Sequence, residues 1–143
     1  NNNLDLLEEA RLAAFLAKME GDPSQLPAPV CLQMATINGA KALGFDDAGA
    51  LRPGFLADIA ILDTSGAHWA PRHDLCANLI YSGNAHDVET LLIDGEVVME
   101  KRVLRTVDEE RVLKEASKRG IALVRGASGS GAAQSGPEFL GPR

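Results

Sequence analysis

Residues 34–63 read MATINGAKALGFDDAGALRPGFLADIAILD, and this stretch contains the change from helical to extended structure on which the fold depends. Apolar residues recur at helical spacing as far as Leu43, and Gly44 is the residue expected at a left-handed helix C-cap. Arg52-Pro53-Gly54 has the composition of a tight turn, and Ala57 to Leu62 is a short apolar run. The stretch therefore predicts a helix, then a turn, then a strand.

A first helix is predicted before this stretch, because apolar residues from Leu4 onward recur with the helical period as far as Gly21-Asp22-Pro23. Its N-cap can be supplied by Asn2, Asn3 or Asp5. The wide apolar side of this helix predicts burial against more than one neighbour.

The second helix is predicted from about Pro27 to Leu43, with Pro27 and Pro29 in the first turn, where a missing N–H costs little. Gly39 interrupts it. A glycine in mid-helix costs about 1 kcal/mol relative to alanine. We therefore expect the backbone of a neighbouring element to approach closely at Gly39.

A β-hairpin is predicted at 88–100, because Asp94-Gly95 separates the apolar runs Val88–Ile93 and Glu96–Glu100. Asp-Gly is typical of a type I′ turn, in which both central residues need positive φ. The segment 101–104 can continue the second strand or turn out of it. The polar stretch from His68 to Ala85 is predicted to be irregular.

The end of the sequence divides into a helix and a tail. Thr106 and Glu109 have the spacing of a capping box, which predicts a helix over 106–125. The segment 126–143 is rich in Gly, Ser, Ala and Pro and is predicted to be disordered, because it cannot bury enough surface to offset its ordering entropy. The ordered part then comprises the helices of 1–44, a β-subdomain over 45–105 and this last helix.

Composition excludes several classes of partner. The 143 residues are 45% hydrophobic and carry a formal charge of −6, so we expect neither nucleic acid nor an anionic membrane as a partner. Two cysteines, Cys31 and Cys76, stand far apart without CxxC spacing and are predicted to be free thiols. Together with the absence of a long apolar run, they favour a cytoplasmic location.

The three histidines lack the spacing of a metal site. His68, His73 and His86 form neither His-x-His nor a His-x3-His pair on one helical face. A loop site built from His68 and His73 would need Asp74 or Asp63 as further ligands, and hydrogen-bonded loop histidines are the favoured interpretation. His86-Asp87 is interpreted as a polar connection into the hairpin.

Other catalytic patterns are equally weak. Ser24, Ser65 and Ser82 lack a G-x-S-x-G setting, and residues 49–54 lack the glycine spacing of a phosphate-binding loop. The acidic run 108–110 is explained by its place at a helix start, and Trp69 by packing over a small core.

Taken in order, four segments resemble metal-dependent amidohydrolases of the branch that holds methylthioadenosine/S-adenosylhomocysteine deaminases and triazine hydrolases. They are 34–44, 49–63, 68–73 (HWAPRH) and 87–99 (DVETLLIDGEVVM), within a resemblance that covers residues 1 to about 124. Leu75, where proline is common in the family, and Pro27-Ala28-Pro29, in place of a Ser/Thr helix start, depart from the pattern.

The resemblance implies an α/β fragment. Residues 1–44 would be the last outer helices of a TIM-type (β/α)8 barrel, 45–105 the C-terminal share of a small composite β-sandwich, and 106–125 a terminal helix. The parent would use a divalent metal, zinc first, to hydrolyse a C–N bond of a purine-like heterocycle. The family's metal ligands and catalytic acid would precede Asn1, so we assign no catalytic, substrate-binding or metal-binding residue and expect no bound metal and no activity in this chain alone.

Two alternatives stay open. The chain can be a non-catalytic domain that folds alone and self-associates, or pairs with a separate N-terminal part. It can also be a small binding protein with an incidental likeness to the family, which predicts a complete, closed sheet within 45–104.

Overall fold

A computed structural model describes residues 4–19 and 21–128, which divide between Thr106 and Val107 into two compact units. The first unit contains helices, short helical turns and one four-stranded antiparallel sheet. Its elements, in chain order, are α1 (Leu6–Met19), α2 (Ala28–Gln33), a π-helical turn (Met34–Asn38), α3 (Gly39–Ala42), β1 (Ile59–Leu62), a 3-10 turn (Ala67–Trp69), α4 (Leu75–Tyr81), a second 3-10 turn (Ala85–Asp87), β2 (Val88–Ile93), β3 (Glu96–Glu100) and β4 (Val103–Leu104). The second unit contains α5 (Glu109–Ser128). No helix in the described part of the chain is both long and apolar enough to cross a membrane.

Helix α1 begins at the cap that the sequence allows. The Asp5 carboxylate accepts hydrogen bonds from the amides of Leu7, at 3.0 Å, and Glu8, at 3.2 Å, so Asp5 is confirmed as a cap. Arg11 on the same helix donates to the carbonyls of Ile80, at 2.9 Å, and Gly83, at the end of α4. These bonds use carbonyls that the helix itself leaves unpaired and join α1 to α4.

The core of the first unit lies among α1, α2 and α4. Ala14 and Ile80 have no exposed surface, and Cys31 is 1% exposed. Small residues on α1 and α2 allow the helices to approach, and Ile80 fills the space between them. The core is small, which agrees with the low aromatic content of the sequence.

The second helix has the predicted extent, but its interruption has a different cause. A Cβ placed on Gly39 would lie 3.2 Å from the carbonyl oxygen of Met34, which belongs to the wide π turn of the same helix. The prediction that a neighbouring element approaches Gly39 is wrong. The close approach occurs at Gly49, where a Cβ would lie 2.7 Å from the Cα of Ile37.

The turns around the helix end are as predicted. Gly44 has φ +86°, and the amide of Phe45 reaches back to the carbonyl of Ala40 at 3.0 Å. Gly54 has φ +86°, and the amide of Phe55 bonds the carbonyl of Arg52 at 3.1 Å. This is the geometry of a four-residue turn whose two central residues are proline and then glycine.

The sheet is a meander with strand order β1-β2-β3-β4. Ala60 faces Leu91, Leu91 faces Met99, and Met99 faces Leu104 across the four strands. Asp94 and Gly95 have φ of 51° and 79°, which confirms the hairpin turn. Lys101 and Arg102 also have positive φ and form a second tight turn, so the chain turns out of β3 and returns as β4.

The two edges of this sheet differ. Within the described residues, β1 pairs only with β2 and β4 pairs only with β3. Strand β1 is apolar throughout, Ile-Ala-Ile-Leu, whereas β4 is two residues long and lies beside Lys101, Arg102 and Arg105. Short, positively charged edges resist pairing with another strand, and apolar edges do not. The closed sheet predicted for a small binding protein is not present in 45–104.

The prediction of irregular structure throughout 68–85 is wrong, because α4 occupies Leu75–Tyr81. The Asp74 carboxylate caps it, accepting from the amides of Cys76 at 2.9 Å and Ala77 at 3.0 Å. A helix of seven residues between a proline and a glycine produces little periodic signal. Ile80 of this helix is fully buried, so tertiary packing stabilises α4 in addition to its local cap.

Helix α5 differs from its prediction at both ends. Asp108 accepts from the amide of Arg111 at 3.0 Å, so Asp108 and not Thr106 caps the helix. The helix begins at Glu109 and continues through Ser128, which corrects the predicted range 106–125 and places 126–128 in the helix. The rest of the predicted tail, 129–143, lies outside the described residues.

Candidate functional site

The strongest polar cluster in the described residues joins the first 3-10 turn to the start of β2. His68 Nε2 lies 3.0 Å and 3.1 Å from the two carboxylate oxygens of Asp87, which is 7% exposed. The Asp87 carboxylate also accepts a hydrogen bond from the amide of Asn84, at 3.0 Å. A buried carboxylate held by two donors fixes the positions of two loops.

The environment of Asp87 favours its charged form. Burial raises the pKa of Asp87, but the hydrogen bonds from His68 and from the Asn84 amide outweigh this effect and hold the pKa below its usual value. The indole N–H of Trp69 acts in the same direction, although its geometry falls short of a hydrogen bond. Trp69 is 2% exposed, and its ring centroid lies 6.0 Å from that of His68. The cluster is therefore a packed, hydrogen-bonded pair of an imidazole and a carboxylate beside a buried indole.

A second aspartate lies at the end of β1. The side chain and amide of Ser65, together with Arg102, lower the pKa of Asp63 to about 2. The Arg102 guanidinium lies 3.2 Å from the carboxylate and also donates to the carbonyl of His86 at 2.9 Å. These contacts tie the second tight turn to β1 and the loop before β2.

The candidate loop metal site does not assemble. His68 contacts Asp87, Asp74 caps α4, Asp63 contacts Arg102 and Ser65, and His73 is exposed in the loop between. Within 4–19 and 21–128, no three His, Cys, Asp or Glu side chains are grouped closely enough to hold a metal ion. His86-Asp87 lies in a 3-10 turn with a capping box from Asn84, as the interpretation of a polar connection requires.

The remaining candidates have structural roles. Ser24 hydrogen-bonds Asp22, Ser65 hydrogen-bonds Asp63, and Gly49 packs on the backbone of Ile37. Asp108 caps α5, and Trp69 is buried as predicted. The His68–Asp87 pair was missed, because 19 residues separate the two and no local pattern connects them.

A large concave surface of the first unit is an apolar groove of about 820 Å³. It is formed by one side of α1, the helix α2 to α3, the loop that follows this helix, and β1, with contributions from α4 and β2. We call it the β1 groove; its lining is Leu6, Leu7, Leu32, Ala35, Thr36, Ala40, Leu43, Phe45, Ala48, Gly49, Ala50, Leu51, Leu56, Asp58, Ile59, Ala60, Leu62, Leu79 and Val88. Only two of these residues have polar side chains. The groove is thus suited to apolar contact.

Comparison with known proteins identifies the family. The model of the amidohydrolase family matches residues 1–98 of the 143. The chain belongs to the amidohydrolase family. The incidental likeness considered above is therefore excluded.

Curated amidohydrolase relatives share much of the sequence. The chain is 50% identical to a 5-methylthioadenosine/S-adenosylhomocysteine deaminase of Pelotomaculum thermopropionicum over 125 aligned residues. The alignment covers 87% of this chain and 29% of that protein. It is 46% identical over 126 residues to a protein of the same name from Dictyoglomus thermophilum, again 87% of this chain and 30% of that protein. The chain thus spans less than a third of the relatives that it matches.

Solved amidohydrolase structures match the backbone. An adenosine deaminase from Xanthomonas campestris with bound zinc superposes with a TM-score of 0.80 and 36% identity, over 82% of this chain and 27% of that one. An atrazine chlorohydrolase from Arthrobacter aurescens complexed with zinc superposes with a TM-score of 0.70 and 33% identity, over 78% of this chain and 25% of that one. The described residues of this chain do not provide a donor set that fits such an ion.

Proposed function

We propose that this chain is part of a metal-dependent amidohydrolase that removes an amino group from an adenosine-type substrate by hydrolysis. The observation that carries the proposal is the 50% identity over 125 residues to a 5-methylthioadenosine/S-adenosylhomocysteine deaminase. The Xanthomonas campestris structure, an adenosine deaminase, supports the same substrate class. The similarity to an atrazine chlorohydrolase supports hydrolytic displacement of a substituent on a nitrogen heterocycle.

In this proposal the chain supplies scaffold to the enzyme. Residues 1–44 are the last outer helices of the barrel, 45–105 are part of the β-sandwich, and the last helix completes the chain. The support is chemical: the two most constrained aspartates of the first unit have structural partners, Asp87 in His68 and Asp63 in Arg102. A carboxylate whose pKa is about 2, as that of Asp63 is, is a poor general base near neutral pH.

The metal and the catalytic groups then belong to residues outside those described. Zinc bound in such an enzyme would lower the pKa of a water molecule and supply the nucleophile. The chain's own contribution is to hold the surrounding elements in position. We assign it no metal ligand and no catalytic residue.

The decisive experiment uses a chimera. The matched 29% of the Pelotomaculum thermopropionicum protein is replaced by residues 1–125 of this chain, and release of ammonia from methylthioadenosine, S-adenosylhomocysteine and adenosine is measured. Deamination with zinc bound to the chimera supports the proposal. A folded, zinc-loaded chimera without deamination, beside an active parent protein, contradicts it.

A parallel measurement tests the chain by itself. The purified 143-residue chain should bind less than one zinc per molecule and show no deaminase turnover. Metal at one per chain together with turnover would overturn the assignment of the catalytic groups to residues outside the chain.

A second candidate is an interaction module that self-associates. Its support is the exposure of large apolar side chains, with Leu43 at 78% and Leu51 at 77%. Apolar patches above about 400 Å² on a monomer mark interfaces or aggregation sites. Sedimentation of the isolated chain separates the two candidates, since a stable, specific dimer favours the module and a heterogeneous aggregate favours a part of a larger enzyme.

A further inference from the structure

Helix α5 carries an apolar stripe on an otherwise largely charged surface. Leu113, Ala116, Gly120 and Leu123 follow one another at alternating spacings of three and four residues, which places them on one side of the helix. Leu113 is 60% exposed and Leu123 is 75% exposed. Most helical stability in proteins comes from the packing of an amphipathic face, so this stripe favours a surface that covers it.

The middle of the stripe is shallow. A Cβ built on Gly120 would meet no atom of the described residues within 4 Å, apart from the backbone of its own helix. A mid-helix glycine costs about 1 kcal/mol relative to alanine. With Ala116 one turn away, Gly120 leaves a place where the backbone of another element can approach closely. The shape of the stripe therefore favours a second helix as its occupant.

The charges of α5 and its cap are divided along the helix. Residues 108–115 contain four carboxylates and two basic side chains, which give a net charge of −2. Residues 116–128 contain three basic side chains and no acidic one, which give +3. Attraction to the helix dipole explains charges in the first and last turns only, whereas Lys118 and Arg119 lie near the middle. A helix with the opposite order of charges would be attracted to α5.

A second copy of α5 has that order when it runs in the opposite direction. With the midpoint of the pair at Lys118, Leu113 lies opposite Leu123 of the second copy, and Ala116 lies opposite Gly120. Each acidic half then lies beside a basic half, whereas parallel pairing would place like charges together. Antiparallel pairing therefore satisfies the apolar stripe and the charges at once, and it closes about a two-fold axis.

We propose that α5 pairs with α5 of a second copy of this chain in an antiparallel coiled coil centred near Lys118. The inference goes beyond the proposed function, because it uses neither the family nor the first unit. It also differs from the interaction module considered above, which is supported by exposed apolar side chains of the first unit. The competing occupants of the stripe are the first unit of another copy and an unrelated partner.

Sedimentation velocity of the full 143-residue chain tests the surface. Leu123→Lys, on the stripe, is compared with Ile121→Lys, which adds the same charge off the stripe at a side chain that is 54% exposed. From about 1 to 200 µM, a range that includes micromolar dissociation constants, the parent should form a dimer. Leu123→Lys should raise the dissociation constant about tenfold or more, because a lysine would be buried between the helices. Ile121→Lys should change it less than about twofold.

Two further measurements separate the contact from the folding of the helix. Both variants should keep the circular dichroism of the parent at concentrations below those at which the dimer forms, since both side chains are exposed in the single chain. Raising sodium chloride from about 0.05 to 0.5 M should weaken the parent dimer, because screening reduces the attraction between halves of opposite charge. A dimer that salt leaves unchanged or strengthens would overturn the antiparallel arrangement.

Thiol crosslinking tests the direction of pairing. A tagged chain with Leu113→Cys is mixed with an untagged chain with Leu123→Cys in oxidised glutathione, and parent chains report any crosslinking through Cys31 and Cys76. Disulfides need Cβ atoms within about 4.5 Å, so antiparallel pairing should give the mixed dimer about tenfold or more in excess over either homodimer. Homodimers in excess would show parallel pairing and overturn the inference.

The remaining outcomes also decide. A chain that stays monomeric over this range would overturn the inference, and the stripe would then belong to a different partner. A dimer that Leu123→Lys leaves intact would overturn it as well, because the contact would lie on another surface, such as the first unit. Neither result affects the proposed function, which the chimera tests through ammonia release. The Leu123→Lys chain also allows association through the first unit to be measured without α5.

Discussion

Replacement of Gly49 by alanine tests how tightly the loop after α3 packs on the π turn. Two effects add at this residue. Gly49 has φ +82°, a conformation that costs an L-residue about 1–2 kcal/mol. The new Cβ would also lie 2.7 Å from the Cα and 2.8 Å from the amide nitrogen of Ile37, which are backbone atoms that cannot rotate away.

The second effect is an overpacking cost of about 1–3 kcal/mol, because the loop must move off the helix. We therefore expect Gly49→Ala to lower the free energy of unfolding by about 2–5 kcal/mol. Gly54→Ala is a matched control, since Gly54 has φ +86° and no atom within 4 Å of its Cβ position. The control should lose only the conformational part, about 1–2 kcal/mol.

Urea unfolding followed by tryptophan fluorescence measures both variants. Trp69 is the only tryptophan in the sequence and is 2% exposed, so its emission reports unfolding of the first unit. The reasoning is refuted if Gly49→Ala and Gly54→Ala shift the midpoint equally. An equal shift would mean that the loop does not rest on Ile37 as described.

Three further predictions concern the core, the buried carboxylate and the thiols. Ile80→Ala should cost about 2–5 kcal/mol in urea unfolding, whereas Leu75→Ala, at an exposed residue of the same helix, should cost less than about 1 kcal/mol; equal costs would contradict the assignment of α4 to the core. Asp87→Asn should cost about 1–3 kcal/mol at pH 7. Because the pKa of Asp87 is lowered on folding, the stabilisation that its carboxylate provides is present above the ordinary value of 3.8 and is lost as the pH falls through the lowered pKa. The difference in free energy of unfolding between parent and variant should therefore shrink in acid; a difference that is constant from pH 7 to pH 3 would show that the folded state does not favour the charged carboxylate. Burial, with the nearby Asp74 carboxylate, raises the pKa of the Cys76 thiol, so a disulfide reagent at pH 7 should modify the native chain far more slowly than the urea-unfolded chain; equal rates would show that the thiol is accessible.

Local chemistry made some elements predictable from the sequence. The turn at Asp94-Gly95 has positive φ at both residues, Gly44 ends a helix, and Arg52-Pro53-Gly54 forms a turn. Each of these structures depends on residues that lie within about four positions of one another in the sequence. Asp5 is a cap for the same reason. The hairpin and the boundaries of the first two helices therefore followed from the residues themselves.

Features that depend on distant residues were missed. Helix α4 is short and is stabilised by Ile80 packing between α1 and α2, and His68 meets Asp87 across 19 residues. The backbone of another segment approaches Gly49 closely, whereas the atom nearest to the Cβ position of the mid-helix Gly39 belongs to its own helix. Such contacts arise from tertiary structure, which propensity and periodicity do not contain.

For the candidate site too, local features could be predicted from the sequence and features that depend on tertiary structure could not. Spacing alone predicted that His68, His73 and His86 do not form a metal site, and this stays a prediction; of the three side chains, that of His68 is seen to contact Asp87. The groove could not be predicted, because its lining comes from six elements whose arrangement no local pattern specifies.

The two tight turns of the meander have a consequence for the order in which the sheet forms. Strands β2, β3 and β4 are joined by two-residue turns, 94–95 and 101–102, and hairpins of this kind close within microseconds. Strand β1 ends at Leu62 and meets β2 only across a connection that contains α4, so its pairing must wait for a long loop to close. We expect amides of β2 and β3 to gain protection before those of β1 in pulsed hydrogen exchange. The last strand to join the sheet is then the one with an open edge, which leaves β1 free to pair on either side during the early stages of folding.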